Sequence, residues 1–174
     1  MDDTRPPAGL SLGPAPTRRP PDDPVVGWRY WQLDRASRLL RSVTHKRVTW
    51  TPGQPLRAVC LIGGHEAPAA GCACGIHASP DLAGLRSSGV CLAPGEPLVV
   101  GEAALWGVVV HDAHGLRAEQ AAPARLWLVD ATADGEGAAL ASLRAYGVPV
   151  ATVPASEAVG EVAAAVLAFQ AMSR

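Results

Sequence analysis

The run Pro97-Leu98-Val99-Val100-Gly101-Glu102-Ala103-Ala104-Leu105-Trp106-Gly107-Val108-Val109-Val110 carries the strongest β signal in the chain. It reads as one long apolar strand. His111-Asp112-Ala113-His114-Gly115 then supplies a polar, glycine-closed turn, and Leu116 to Ala121 returns antiparallel. Gly107, just after Trp106, marks a candidate bulge. A hairpin of this length makes sheet the organising structure, and the remaining segments are read around it.

Upstream, Val26-Gly27-Trp28-Arg29-Tyr30-Trp31-Gln32-Leu33 is aromatic and β-prone. Alternation sets Arg29, Trp31 and Leu33 on one face and Trp28 and Tyr30 on the other. The tryptophans are expected in the core and the arginines on a solvated face. Short strands are expected at Leu39 to Val43 and Val48 to Trp50. After the turn Thr51-Pro52-Gly53 a further strand runs from Leu56 to Ile62, with Cys60 on it. From Cys72 to Gly95 no periodicity holds, so irregular backbone is expected, with at most a helical turn near Asp81 to Leu85.

Downstream the character changes. Arg125 to Asp130 reads as a buried strand, Gly137 to Tyr146 as a helix closed by Gly147, and Val148 to Val153 as another strand. Ser156 to Met172 reads as an amphipathic helix capped by Ser156, with Val159, Val162, Val166, Leu167 and Phe169 as its core-facing stripe. The class is therefore α+β: an antiparallel β-rich first part, a metal-stapled loop region, and a C-terminal strand-helix-strand-helix segment.

Residues 1 to 24 hold seven of the sixteen prolines and almost no large apolar side chain, which predicts a disordered leader. Residues 25–174 are then expected to form a single metal-stabilised α+β domain, a length that can bury a sizeable core. The net charge of −1 conceals an asymmetry. Residues 25 to 50 carry six basic side chains (Arg29, Arg35, Arg38, Arg41, Lys46, Arg47) against the single acid Asp34, whereas residues 96 to 174 carry nine acids against four arginines. Either the first part meets an anionic partner or the two parts attract each other. One lysine, no asparagine and abundant Ala, Gly, Pro and Arg are the protein-level shadow of a GC-rich, actinobacterium-like genome. No apolar run reaches the roughly 18 residues of a membrane span, and the start lacks a secretory pattern, so a cytoplasmic protein without membrane contact is expected.

In that reducing setting clustered cysteines predict metal binding rather than disulfides. Cys60, His65, Cys72 and Cys74 fall within fifteen residues, separated by flexible or short gaps of four, six and one. Thiolate and imidazole are the ligands tetrahedral zinc prefers, and four of them make a closed, structural kind of site. One structural zinc ion is the expectation. His77 and Cys91 are reserve ligands; with Cys91 replacing His65 the set becomes all-thiolate and admits iron–sulfur chemistry.

The phrases His65-Glu66-Ala67-Pro68, Cys72-Ala73-Cys74-Gly75-Ile76, Leu105-Trp106-Gly107-Val108-Val109 and Gly115-Leu116-Arg117-Ala118 resemble a set of uncharacterised small actinobacterial proteins, over roughly residues 26 to 150. Those relatives are expected to carry an aromatic residue where His77 stands. The resemblance implies one domain with a metal motif and implies nothing about substrate.

Three functional readings follow. The first is a non-catalytic zinc-stabilised binding or adaptor module whose partner is another protein. The second is a nucleic-acid binder using the basic, aromatic first part. The third is a metal-dependent enzyme or iron–sulfur protein. An enzyme needs an open metal position and a base; Glu66 is the base candidate, but four ligands leave no vacancy. His111, Asp112 and His114 would suit a second metal or a proton relay, yet a hairpin turn requires such residues anyway.

Overall fold

The computed structural model describes residues 20–44, 48–88, 92–93, 95–113, 115–130, 133–161 and 164, with the side chains of 133–135 excepted. It is a mixed, sheet-rich structure with few helices. At its centre stand β6 (Leu98–Asp112) and β7 (Gly115–Val129), the expected hairpin, paired from Asp112↔Gly115 back to Val99↔Leu128. On the far side of β6 lies β1 (Val25–Leu33), followed outward by β2 (Leu40–Ser42) and β3 (Thr49–Trp50), all antiparallel.

One expectation is corrected at β7. Residues 116–121 and 125–130 are not two strands but one, because β6 offers a matching ladder throughout and a register shift between Glu102 and Ala103 absorbs the irregularity at Pro123. A second shift falls between Trp106 and Val109, where Gly107 takes a φ of +74° that side-chain-bearing residues avoid. These irregularities coil the hairpin, as bulges do.

Three short strands share the outer edge of β7. β4 (Leu56–Arg57) pairs Arg57 with Gln120, and β5 (Ile76–Ala78) pairs Ile76 with Ala118. Between them the N–H of Ala58 bonds to the carbonyl of Glu119 at 2.7 Å. The two are halves of one edge strand, interrupted by residues 59–75 without loss of register. The expected strand from Leu56 to Ile62 therefore stops early: Val59, Leu61 and Ile62 are 72%, 79% and 94% exposed, and Cys60 lies in the interrupting loop.

Beyond β5, Ser79 exchanges two 2.7 Å backbone bonds with Trp28, so β1, β6, β7 and β5 close into a ring. Gly27 makes this possible, since a Cβ there would lie 2.7 Å from the Cβ of Ala78. Inside the curl sit Trp31, Leu40, Trp50, Leu105, Leu116, Ala118 and Leu126. Over this cluster packs α2 (Ala133–Arg144) with the turn after it, through Ala139, Leu143 and Tyr146. The Tyr146 hydroxyl accepts from the N–H of Leu40 at 2.8 Å and donates to the carbonyl of Trp50. From α2 the chain enters β8 (Val150–Val153), parallel to β7.

The opposite face holds a second cluster of Tyr30, Leu98, Val100 and Val129, covered by α1 (Leu82–Ser87) and α3 (Ala155–Ala158). Asp81 caps α1 by accepting from Gly84 at 2.6 Å, which places the helix near where a single turn was expected. The expected helix from Ser156 to Met172 is not continuous and Ser156 is not its cap: α3 begins one residue earlier, after Pro154, with its Ala155 N–H taken up by Asp130 Oδ1 at 2.7 Å, and it ends at Ala158, where Val159 is extended before helical backbone resumes at Glu161. Most of the expected stripe, and residues 1–19 of the expected leader, lie outside the described residues.

Candidate metal centre

Residues 59–75 fold so that Cys60, His65, Cys72 and Cys74 bring their ligand atoms within 4.8 Å of one another. All four expected ligands are brought together. Cys60 is buried at the loop base, Cys72 and Cys74 are half-buried, and His65 is exposed. Cys60 Sγ lies 3.9 Å from Cys72 Sγ, and His65 Nε2 lies 3.3 Å from Cys74 Sγ. A tetrahedron with metal–sulfur bonds of about 2.3 Å sets sulfur atoms about 3.8 Å apart, with nitrogen and sulfur slightly closer. The donor set and its spacing fit one tetrahedral ion. Among the described residues no other His, Cys, Asp or Glu cluster has metal-binding spacing.

The local backbone is built for thiolates. Gly63 donates its N–H to Cys60 Sγ at 3.2 Å, so the chain reverses over the sulfur. Hydrogen bonds from the backbone of Gly63 and then Ile62 hold the Cys60 thiol below its ordinary pKa. Cys72 is held the other way. The Cys74 backbone draws its pKa downward, but the thiols of Cys74 and Cys60, together with burial, outweigh that and push it up. Several thiolates this close cannot all ionise unless a positive charge joins them.

A second layer grips the Cys72–Cys74 turn from outside. Arg117, buried on β7, donates through one terminal nitrogen to the carbonyls of Cys72 and Cys74 at 2.6 and 2.9 Å. Its Nε and other terminal nitrogen bind Asp112 Oδ2 at 3.1 and 2.6 Å. The intervening carbonyl, of Ala73, accepts from His77 Nε2 at 2.7 Å. Three successive carbonyls are thereby fixed by side chains of two strands. Of the two reserve ligands, His77 is hydrogen-bonded to Ala73 and is not part of the four-atom cluster, and Cys91 lies outside the described residues. Sequence reasoning assigned Arg117 no role; the available signal was an Asp and an Arg five residues apart across a tight turn. Asp112 thus serves the hairpin and the metal loop together, while His114 lies outside the described residues.

The basic first part is divided. Arg29 is not on a solvated face but 8% exposed, with its guanidinium over Trp50 at 4.7 Å and Trp31 at 5.3 Å. Its stem can enter the curl because strand alternation sets it beside Trp31 and the indole faces accept the cation. Arg41 pairs with Asp34 at 2.8 Å and reaches Glu96 at 3.9 Å, and Arg57 pairs with Glu119 at 3.2 Å. Arg35 and Arg38 are exposed, while Lys46 and Arg47 lie outside the described residues. No helix among the described residues is long and apolar enough to cross a membrane.

No protein-family model matches this chain, and neither a curated protein nor a solved structure matches it significantly.

Proposed function

We propose that this protein is a non-catalytic adaptor module in which one zinc ion, held by Cys60, His65, Cys72 and Cys74, presents an apolar loop to a protein partner. The observation that carries the reading is the pairing of a complete four-atom ligand set with the neighbouring exposure of Val59, Leu61 and Ile62. Three large aliphatic side chains next to one another on a constrained loop suit insertion into a partner's apolar pocket. Zinc accounts for the ligands because it takes three thiolates and one imidazole directly and leaves no open position for a substrate or water. The resulting site would carry one residual negative charge, beside an Arg117 whose own charge is paired with Asp112.

The test is elemental and thiol analysis of the purified protein, joined to two sets of variants. Zinc at one per chain is expected, and Cys72→Ser should release it and lower the Tm by roughly 5 °C or more, as structural zinc contributes folding energy directly. Iron with visible absorption, or an unchanged melting curve in Cys72→Ser, would refute the zinc staple. Leu61→Asp and Ile62→Asp should keep zinc and Tm while abolishing capture of any protein the wild type binds; retained capture would remove the loop from the interface.

A further inference from the structure

We propose that the metal loop is a reversible oxidant switch, in which a hydroperoxide joins Cys60 and Cys72 in a disulfide and the ion is lost. The inference rests on the four-ligand zinc reading above and adds a regulator to the same site. Its geometric basis is one short approach. Cys60 Sγ and Cys72 Sγ lie 3.9 Å apart, so the two sulfurs need close only about 2 Å further to reach disulfide length. Cys60 stands at the base of the loop and Cys72 where the chain returns toward β5, so a bond between them spans the segment that carries Leu61 and Ile62.

The third thiol is placed for a different part. Cys74 Sγ faces His65 Nε2 at 3.3 Å. A Cys72–Cys74 disulfide would have to close a small ring through Ala73, yet the carbonyls of Cys72, Ala73 and Cys74 are each held by Arg117 or His77, so that turn is not free to change shape. The order of events follows from exposure. Cys72 is half-buried and Cys60 buried, so peroxide meets Cys72 first. The Cys72 thiolate attacks one peroxide oxygen, the O–O bond breaks, and hydroxide leaves Cys72 as a sulfenic acid. The Cys60 thiolate then attacks that sulfur, forming the S–S bond as the S–O bond breaks and a second hydroxide departs. Two thiolates have given up two electrons in all, and one hydrogen peroxide has become two hydroxides. What remains of the ligand set is Cys74 and His65, two donors short of a tetrahedral site. A dithiol reverses the step by exchange.

The experiment treats the full-length, zinc-loaded protein with excess hydrogen peroxide and follows the metal with a chromophoric chelator, against the same sample without peroxide. One zinc released per disulfide formed is expected, and dithiothreitol with added zinc should restore the starting content. Trypsin isolates residues 58–86 between Arg57 and Arg86, which parts Cys60, Cys72 and Cys74 from Cys91. Free thiols are alkylated with one reagent before reduction and the liberated thiols with another after it. Fragment ions should then show the first label on Cys74 and the second on Cys60 and Cys72. Cys60→Ser should halt at the Cys72 sulfenic acid, trapped by dimedone. Zinc retained under peroxide, zinc lost to sulfinic acid in place of the disulfide, or a bond that uses Cys74 or joins two chains each overturns the switch. Zinc absent before peroxide is added overturns the zinc reading as well, so the initial metal content tells the two failures apart. Should Cys60→Ser fail to fold, the label pattern of the wild type decides alone.

Discussion

Arg117 ties the loop that carries Cys72 and Cys74 to the sheet. Its guanidinium joins the carbonyls of Cys72 and Cys74 to the carboxylate of Asp112, so the geometry of two sulfurs depends on one side chain rooted in the sheet. Lysine retains the charge but cannot serve both carbonyls and the carboxylate in one plane. Arg117→Lys should therefore weaken metal affinity by about 10- to 100-fold with the sheet intact, measured by competition with a chromophoric chelator. Unaltered affinity would reduce Arg117 to a packing residue. The convergence of Cys60, His65, Cys72 and Cys74 was legible in the sequence because soft donors at short spacing are rare and chemically specific. Their support was not, since Arg117 is remote in sequence from the loop and reaches it only because β5 and β7 pair. Arg29 was misread for a related reason. Strand alternation places it correctly beside Trp31, but whether that face meets water or Trp50 is decided by the curl of the sheet.

At the scale of elements, the hairpin and β1 follow from period and composition, and the antiparallel return of the hairpin was legible, whereas the pairing of β1 with β6 was not. What misled were local features that tertiary pairing overrides. Leu56 to Ile62 has strand composition throughout, yet extended pairing ends at Ala58 because the loop turns outward over Cys60. Ser156 has the right chemistry for a cap, but the helix starts at Ala155, whose N–H bonds to Asp130, so Ser156 falls inside it. The attachment of α2 to the sheet edge is testable through Tyr146, whose single hydroxyl satisfies a buried donor on Leu40 and a buried acceptor on Trp50. Tyr146→Phe leaves both partners unpaired at once and should cost roughly 2–4 kcal/mol in urea denaturation, more than an average single hydrogen bond. A loss under about 0.5 kcal/mol would mean that water replaces the hydroxyl and that α2 is held by its apolar contacts.

For the molecule as a whole, the uneven charge of the chain is partly resolved internally, with Arg41 near Glu96 and Arg57 against Glu119. These are partly exposed pairs, worth little individually. The two apolar clusters on either face of the sheet supply the main stability, and the metal loop sits outside both. Chelation should accordingly open the molecule in order: amide protection in residues 59–75 disappears first, while β1, β6 and β7 keep theirs until global unfolding, as hydrogen exchange would record. Acid should act as the chelator does, because thiolate and neutral imidazole ligands must give up their protons to bind and take them back as pH falls. Simultaneous loss of protection everywhere would show that the ion holds the sheet itself. The interruption between β4 and β5 gives this order a deeper basis. A chain that leaves an edge at Glu119 and rejoins it at Ala118 has added a module without disturbing its host. Excision of 59–75 should leave a continuous edge strand and a folded, metal-free protein, whereas the segment moved to the edge of an unrelated sheet should bind its ion only where that sheet supplies counterparts of Arg117 and His77 to hold the loop closed.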